Sequence, residues 1–156
     1  MKIWIISLLM LLPTLVTAEP AGVLKLTSDK PVDEVYTSVY RALENEKFWV
    51  VFEADMGKRM AKFADKWGED YNRNGLKSVQ SMVFCSIWWT NQIANADPDL
   101  LALCPLHLSI YGKDGKTHVV MPRLSAIAEG SPGRDKVGEL EMELKAIVEK
   151  ALAADF

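Results

Sequence analysis

The sequence predicts an α/β fold of the α+β kind, a two-layer sandwich of about five strands with helices mainly on one face. Three observations point to it. Strand-like runs alternate with runs of helical period along the whole chain. Lys113-Asp114-Gly115-Lys116 stands between two alternating runs, the chemistry of a two-residue hairpin turn whose central residues need positive φ. No repeat, linker or low-complexity segment divides the 156 residues, so one domain is expected.

The first residues are set apart. Lys2 is followed by an apolar run to Val16, broken only by Ser7, Pro13 and Thr14, and Val16-Thr17-Ala18 ends in small or tolerated residues. This is the pattern of a secretory signal peptide over 1–18, cleaved after Ala18. The run is shorter than the ~20 residues a membrane span needs, so no span is expected after cleavage. A single domain over 19–156 would then reside in the periplasm or outside the cell.

The elements follow in order. Val23-Leu24-Lys25-Leu26-Thr27 alternates as a half-buried strand does. Ser28 and Asp29 offer N-cap chemistry and Pro31 suits a first helical turn. Val32, Val35, Tyr36, Val39 and Leu43 form the apolar stripe of a helix to about residue 46. Phe48-Trp49-Val50-Val51-Phe52 is aromatic and β-branched, a strand expected to be largely covered on both faces. Asp55 can cap a second helix with Met56, Met60, Phe63 and Trp67 on one side and Lys58, Arg59, Lys62 and Lys66 on the other. Residues 68–75 are loop chemistry.

Val79, Ser81 and Val83 alternate with Gln80, Met82 and Phe84 in a third strand that ends at Cys85. Residues 88–96 form a short helix, and Asp97-Pro98 starts another turn running to Leu103. Residues 106–111 and 117–121 are the hairpin strands. Turning at Asp114-Gly115 pairs Tyr111 with His118 and Ser109 with Val120. Leu106, Leu108, Ile110, Val119 and Met121 then share a core face. His107, Ser109, Tyr111, His118 and Val120 share the other face, which is either solvated or an association surface. Val137, Leu140, Leu144, Ile147, Val148 and Leu152 define a closing helix, with Glu141 and Lys145 as an i,i+4 pair.

Taken together, the third strand with its terminal cysteine, the run ADPDLLALCPLHLSIY, the KDGK hairpin and the closing helix resemble the bacterial domain-of-unknown-function family 302. The resemblance spans 23–152. It implies a compact two-layer α/β domain and no agreed catalytic residues. Two departures stand out. Cys85-Ser86-Ile87-Trp88-Trp89 replaces the family's usual Asn-Pro turn, and Cys104-Pro105 replaces a leucine-proline.

Composition narrows function further. A formal charge of −3 without a basic tract gives no footprint for nucleic acid or anionic lipid. No C-x-x-C, C-x-x-C-H, H-E-x-x-H or G-x-S-x-G occurs. Met82, Cys85, Cys104, His107 and Met121 are ligand types that suit copper(I) or haem, but no spacing gathers them.

The two cysteines could bridge. If a helical crossover joins parallel strands, however, Cys85 and Cys104 sit at opposite ends of the sheet, ~17 Å apart. That exceeds the ~7 Å a disulfide tolerates. A long antiparallel connection would reverse this inference. Adjacent tryptophans at a helix start point about 100° apart, so one of Trp88 and Trp89 can enter the core while the other is exposed.

Cys85, Trp88 and Trp89 are therefore the candidate ligand-binding residues, with no catalytic set, and with metal and cofactor undetermined. The sequence leans away from an enzyme. It favours a non-enzymatic binding or accessory module, with a small-molecule ligand and a second copy of the chain as candidate partners. The alternative is a redox, copper or haem protein using Cys85.

Overall fold

A computed structural model of the chain describes residues 20–154; the leader assigned to 1–18 lies outside the described residues. Five strands form one sheet: β1 (Val23–Ser28), β2 (Trp49–Asp55), β3 (Lys77–Cys85), β4 (Leu106–Lys113) and β5 (Lys116–Pro122). Their order is β1-β5-β4-β3-β2, and every neighbouring pair is antiparallel. The longer helices are α1 (Val32–Asn45), α4 (Ile87–Ala96) and α6 (Arg134–Ala153). Three short helices join them: α2 (Met56–Ala61), α3 (Ala64–Trp67) and α5 (Leu124–Ile127). A 3-10 turn covers Pro98–Leu103.

The hairpin forms as its chemistry requires. Asp114 and Gly115 have φ of 51° and 75°, and Tyr111 faces His118 while Ser109 faces Val120. Leu108, Ile110 and Val119 are fully buried on one face. They meet Val35, Val39 and Leu43 of α1 and Val137, Leu140 and Val148 of α6, all at 0 % exposure. α1 and α6 lie side by side on that face, and α4 packs against α6. The heptad-like recurrence of apolar residues on both long helices thus covers one side of the sheet and leaves the other open.

Four local expectations are corrected. The first concerns β2. It is an edge strand, so one flank has no partner, and Trp49, Val51 and Phe52 are 46 %, 63 % and 55 % exposed. A run of apolar, β-branched residues reads alike for a central strand and an apolar edge, because periodicity carries no information about sheet order. Phe48, just before the strand, is the residue that enters the core, at 0 % exposure.

The second concerns 55–67. Asp55 does cap α2, its Oδ1 accepting from Lys58 N at 2.8 Å. The helix then breaks, and Met56, Phe63 and Trp67 stay exposed, with Phe63 stacked on Trp67 at 5.2 Å. The third concerns caps and pairs. Pro31 is itself the N-cap residue of α1, without a side-chain cap, and Ser28 Oγ accepts from Lys30 N in the loop. Glu141 turns to α5, accepting from Ser125 N at 2.9 Å and lying 3.5 Å from Arg123, while Lys145 pairs with Glu149. The fourth is the relation of β3 to β4, which is antiparallel. Cys85 and Cys104 therefore lie at the same end of the sheet.

The connection between β3 and β4 is held to the helix layer at Asp97. Its carboxylate accepts from Asp99 N at 3.1 Å, capping the 3-10 turn, and also accepts from Ser131 Oγ in the loop before α6. Removing both with Asp97→Ala is expected to lower stability by about 2 kcal/mol, read as a shift of the urea midpoint at unchanged slope.

Candidate functional site

Two features converge at the end of the sheet where β2 and β3 meet α4. The first is a sulfur pair. Cys85 closes β3, and Cys104 follows the 3-10 turn at the entry to β4. Thr90, one turn into α4, places Oγ1 3.4 Å from Cys85 Sγ and 3.7 Å from Cys104 Sγ. The same hydroxyl donates to Ser86 O at 2.9 Å. Both cysteines are free and half-buried. Thr90 was not among the sequence candidates. Its only signal was a hydroxyl one turn after Ser86 on a helix, where bonding back to the i−4 carbonyl is common.

The second feature is an apolar rim. Trp49 is the register partner of Cys85. Along β2 it is followed by Val51 and Phe52, and beyond Cys85 come Ile87 and Trp88 at the start of α4, 76 % and 66 % exposed. Trp89 turns the other way into the core at 7 %. Of the three sequence candidates, Cys85 and Trp88 thus lie at the surface of this end, and Trp89 is a packing residue of the α4 contact with the sheet.

The rim's backbone is protected from further pairing at its start. Val50 N–H donates to Glu44 Oε1 at 2.7 Å, and the register slips by one residue at Val51, as in a β-bulge. Its acids are also engaged. Tyr36 donates its hydroxyl to Glu53, and burial together with that carboxylate raises the phenol above its ordinary value. Lys58 holds Asp55 below the usual carboxylate range through its hydrogen bonds.

The open sheet face carries the polar half of the hairpin pattern. Ser81 and Ser109 share a hydroxyl contact at 2.8 Å. His118 Nδ1 lies 3.1 Å from Thr27 Oγ1, and its ring is 5.1 Å from that of Tyr111. His107 is exposed two strands away from Trp49. Among the described residues, no three His, Cys, Asp or Glu side chains are grouped closely enough to hold a metal ion.

The larger surface depressions are lined by other residues. One of about 690 Å³ lies at the opposite, hairpin end of the sheet. Two of its lysines already face acids, Lys116 with Asp29 at 2.7 Å and Lys30 with Glu34 at 3.7 Å.

His118 gives the open face a pH dependence. Burial and the Lys25 ammonium lower its pKa below the ordinary 6.5, outweighing a backbone hydrogen bond at Lys113 and the Asp114 carboxylate. The unfolded chain therefore takes up this proton first as pH falls. Stability is held above about pH 6.5 and lost as pH drops through that value toward the folded pKa. His118→Asn should remove this component. The loss of Tm between about pH 8 and pH 5.5 is expected to be smaller in the variant than in the parent.

The fold and the site can be set beside known proteins. The family model described as "Domain of unknown function DUF302" matches residues 24–154. A crystal structure of an uncharacterized conserved DUF302 protein from Bacillus stearothermophilus superimposes with a TM-score of 0.71 at 15% sequence identity, covering 85% of this chain and 99% of that one. No curated protein matches the chain. The likeness to the solved structure is one of fold.

Proposed function

This chain belongs to the DUF302 family of domains of unknown function, and from that premise we propose that it is a non-enzymatic binding or accessory module, exported to the periplasm or beyond, that acts as a homodimer docked through its apolar rim. The observation that carries this reading is the exposure of Trp49, Val51 and Phe52 on one edge strand, beside Ile87 and Trp88. The opposite edge, β1, presents no such set; its Leu24 is 7 % exposed and packs in the core. Exposed apolar groups occurring singly are ordinary, but several along one edge strand and at the helix start just beyond the register partner of its first residue mark an interaction surface.

Size and charge choose the occupant. Burying a large apolar side chain is worth about 1.5–3 kcal/mol. Five per copy, each roughly half to three-quarters exposed, contribute about 9–18 kcal/mol over both copies of a two-fold contact, enough to offset the ~4–15 kcal/mol of lost translational and rotational freedom and leave a weak dimer. The two acids of β2 are already taken by Tyr36 and Lys58. The rim therefore calls for no complementary charge, as suits a surface that meets its own copy across a two-fold axis. With Val50 N–H occupied by Glu44, contact comes through side chains and not through extension of the ladder. The export address rests on the leader over 1–18. Among the described residues no helix is long and apolar enough to cross a membrane.

Sedimentation velocity from about 1 to 100 μM tests the reading, because a contact made by a few side chains per copy falls at the weak, micromolar end of the range that protein interfaces cover. A dimer is expected, with dissociation toward the dilute end. A monomer at every concentration would overturn it.

A further inference from the structure

Cys85 and Cys104 are brought together by the antiparallel pairing of β3 with β4. Phe84 faces Leu106, so Cys85 stands one step from the residue that precedes Pro105. Directly opposed residues of antiparallel strands are ~5 Å apart and a one-residue offset makes that about 6 Å, inside the ~7 Å between Cα atoms that a disulfide spans. Thr90 Oγ1 contacts both sulfurs, at 3.4 and 3.7 Å. Its hydrogen is directed to Ser86 O. The oxygen therefore meets both sulfurs with its lone pairs, and the two S–H groups are the donors. Two free thiols thus share one acceptor, and both remain partly open to solvent.

We propose that Cys85 and Cys104 form a reversible dithiol–disulfide couple, oxidised by exchange with an external disulfide. One cysteine, as its thiolate, attacks the external S–S bond. A mixed disulfide forms, and the departing thiolate takes up the proton released by that cysteine. The second cysteine attacks the mixed disulfide at the protein sulfur, forms the Cys85–Cys104 bond and expels the second external thiol with its own proton. Two protein S–H bonds and one external S–S bond are lost. One protein S–S bond and two external S–H bonds are made, so the external disulfide accepts the two electrons. The bond closes the segment that carries α4, with Ile87 and Trp88 at its start. The couple stands on the sulfur geometry alone and does not depend on docking at the rim.

The test equilibrates the purified protein with mixtures of reduced and oxidised glutathione, traps free thiols with N-ethylmaleimide and measures intact mass. The parent is expected to pass from two maleimide additions to none as the mixture becomes oxidising. Its oxidised form should weigh two hydrogens less than the dithiol, and a non-reducing digest should contain one Cys85–Cys104 peptide. Cys85→Ser and Cys104→Ser, each checked for a cooperative melt, should instead stop at a single glutathione adduct. If either serine variant fails to melt cooperatively, the alanine variant at that position replaces it. Two maleimides on the parent at every ratio, or two glutathiones and no linked peptide, would overturn the proposal.

Discussion

Phe84→Ala is expected to lower the stability of the fold by about 4 kcal/mol, the middle of the range for truncating a buried aromatic side chain. Phe84 is 1 % exposed on the core face of β3, between β2 and β4. Its ring meets Phe48 edge-on, with centroids 6.2 Å apart and planes at 79°. Truncation removes the buried area, the aromatic contact and the packing of its neighbours at once. The cavity cannot collapse easily, because the strand backbone is tied on both sides. Urea denaturation should show a lower midpoint at unchanged slope. Trp88→Ala is the control. That ring is larger, but at 66 % exposure in the single chain its loss should change the stability of the monomer, measured at concentrations below the dimer range, by no more than about 0.5 kcal/mol. Equal effects from the two variants would contradict the assignment of Phe84 to the core.

Phe52→Glu, alone or with Val51→Glu, is expected to weaken the proposed dimer at least about 100-fold, since desolvating an unpaired charge at such a contact costs several kcal/mol. Both side chains are more than half exposed in the single chain. The monomer should therefore keep its melting temperature at low concentration, while the sedimentation coefficient falls to the monomer value at about 1 μM and well below the parent's at about 100 μM. A variant that stays dimeric would place the contact elsewhere on the molecule. The open face around His107, Ser109 and Val120 is the next surface to test.

Much of the fold is legible from residue order because it is set by short-range chemistry. Asp114-Gly115 prescribes a turn with two positive φ values, and that turn settles the register of β4 against β5 and hence which side chains face the core. The helical stripes on α1 and α6 are of the same kind, and so is the cap at Asp97. The candidate site is different. Cys85, Trp88 and Trp89 stand out by residue type, but their meaning depends on neighbours distant in sequence. Nothing in the spacing of Cys85 and Cys104 distinguishes a parallel crossover, which separates them, from an antiparallel return, which joins them. Thr90 acquires significance only after that choice has been made. The pair Glu44 and Val50 has the same character, since a helix glutamate reaches a strand amide only when the chain folds back at Lys47.

Residue order is enough to read the number of strands, the two-layer architecture, the hairpin and its two faces, and the family resemblance. These follow from local periodicity and turn chemistry, which act over a few residues. Only the folded arrangement makes β2 an edge, leaves Trp49 and Phe52 facing water in the single chain, and brings the two cysteines to one hydroxyl. Strand order and direction are long-range properties, set by how α1 and α6 bury one face of the sheet, and the same run of apolar residues is core or rim according to where its strand falls in that order.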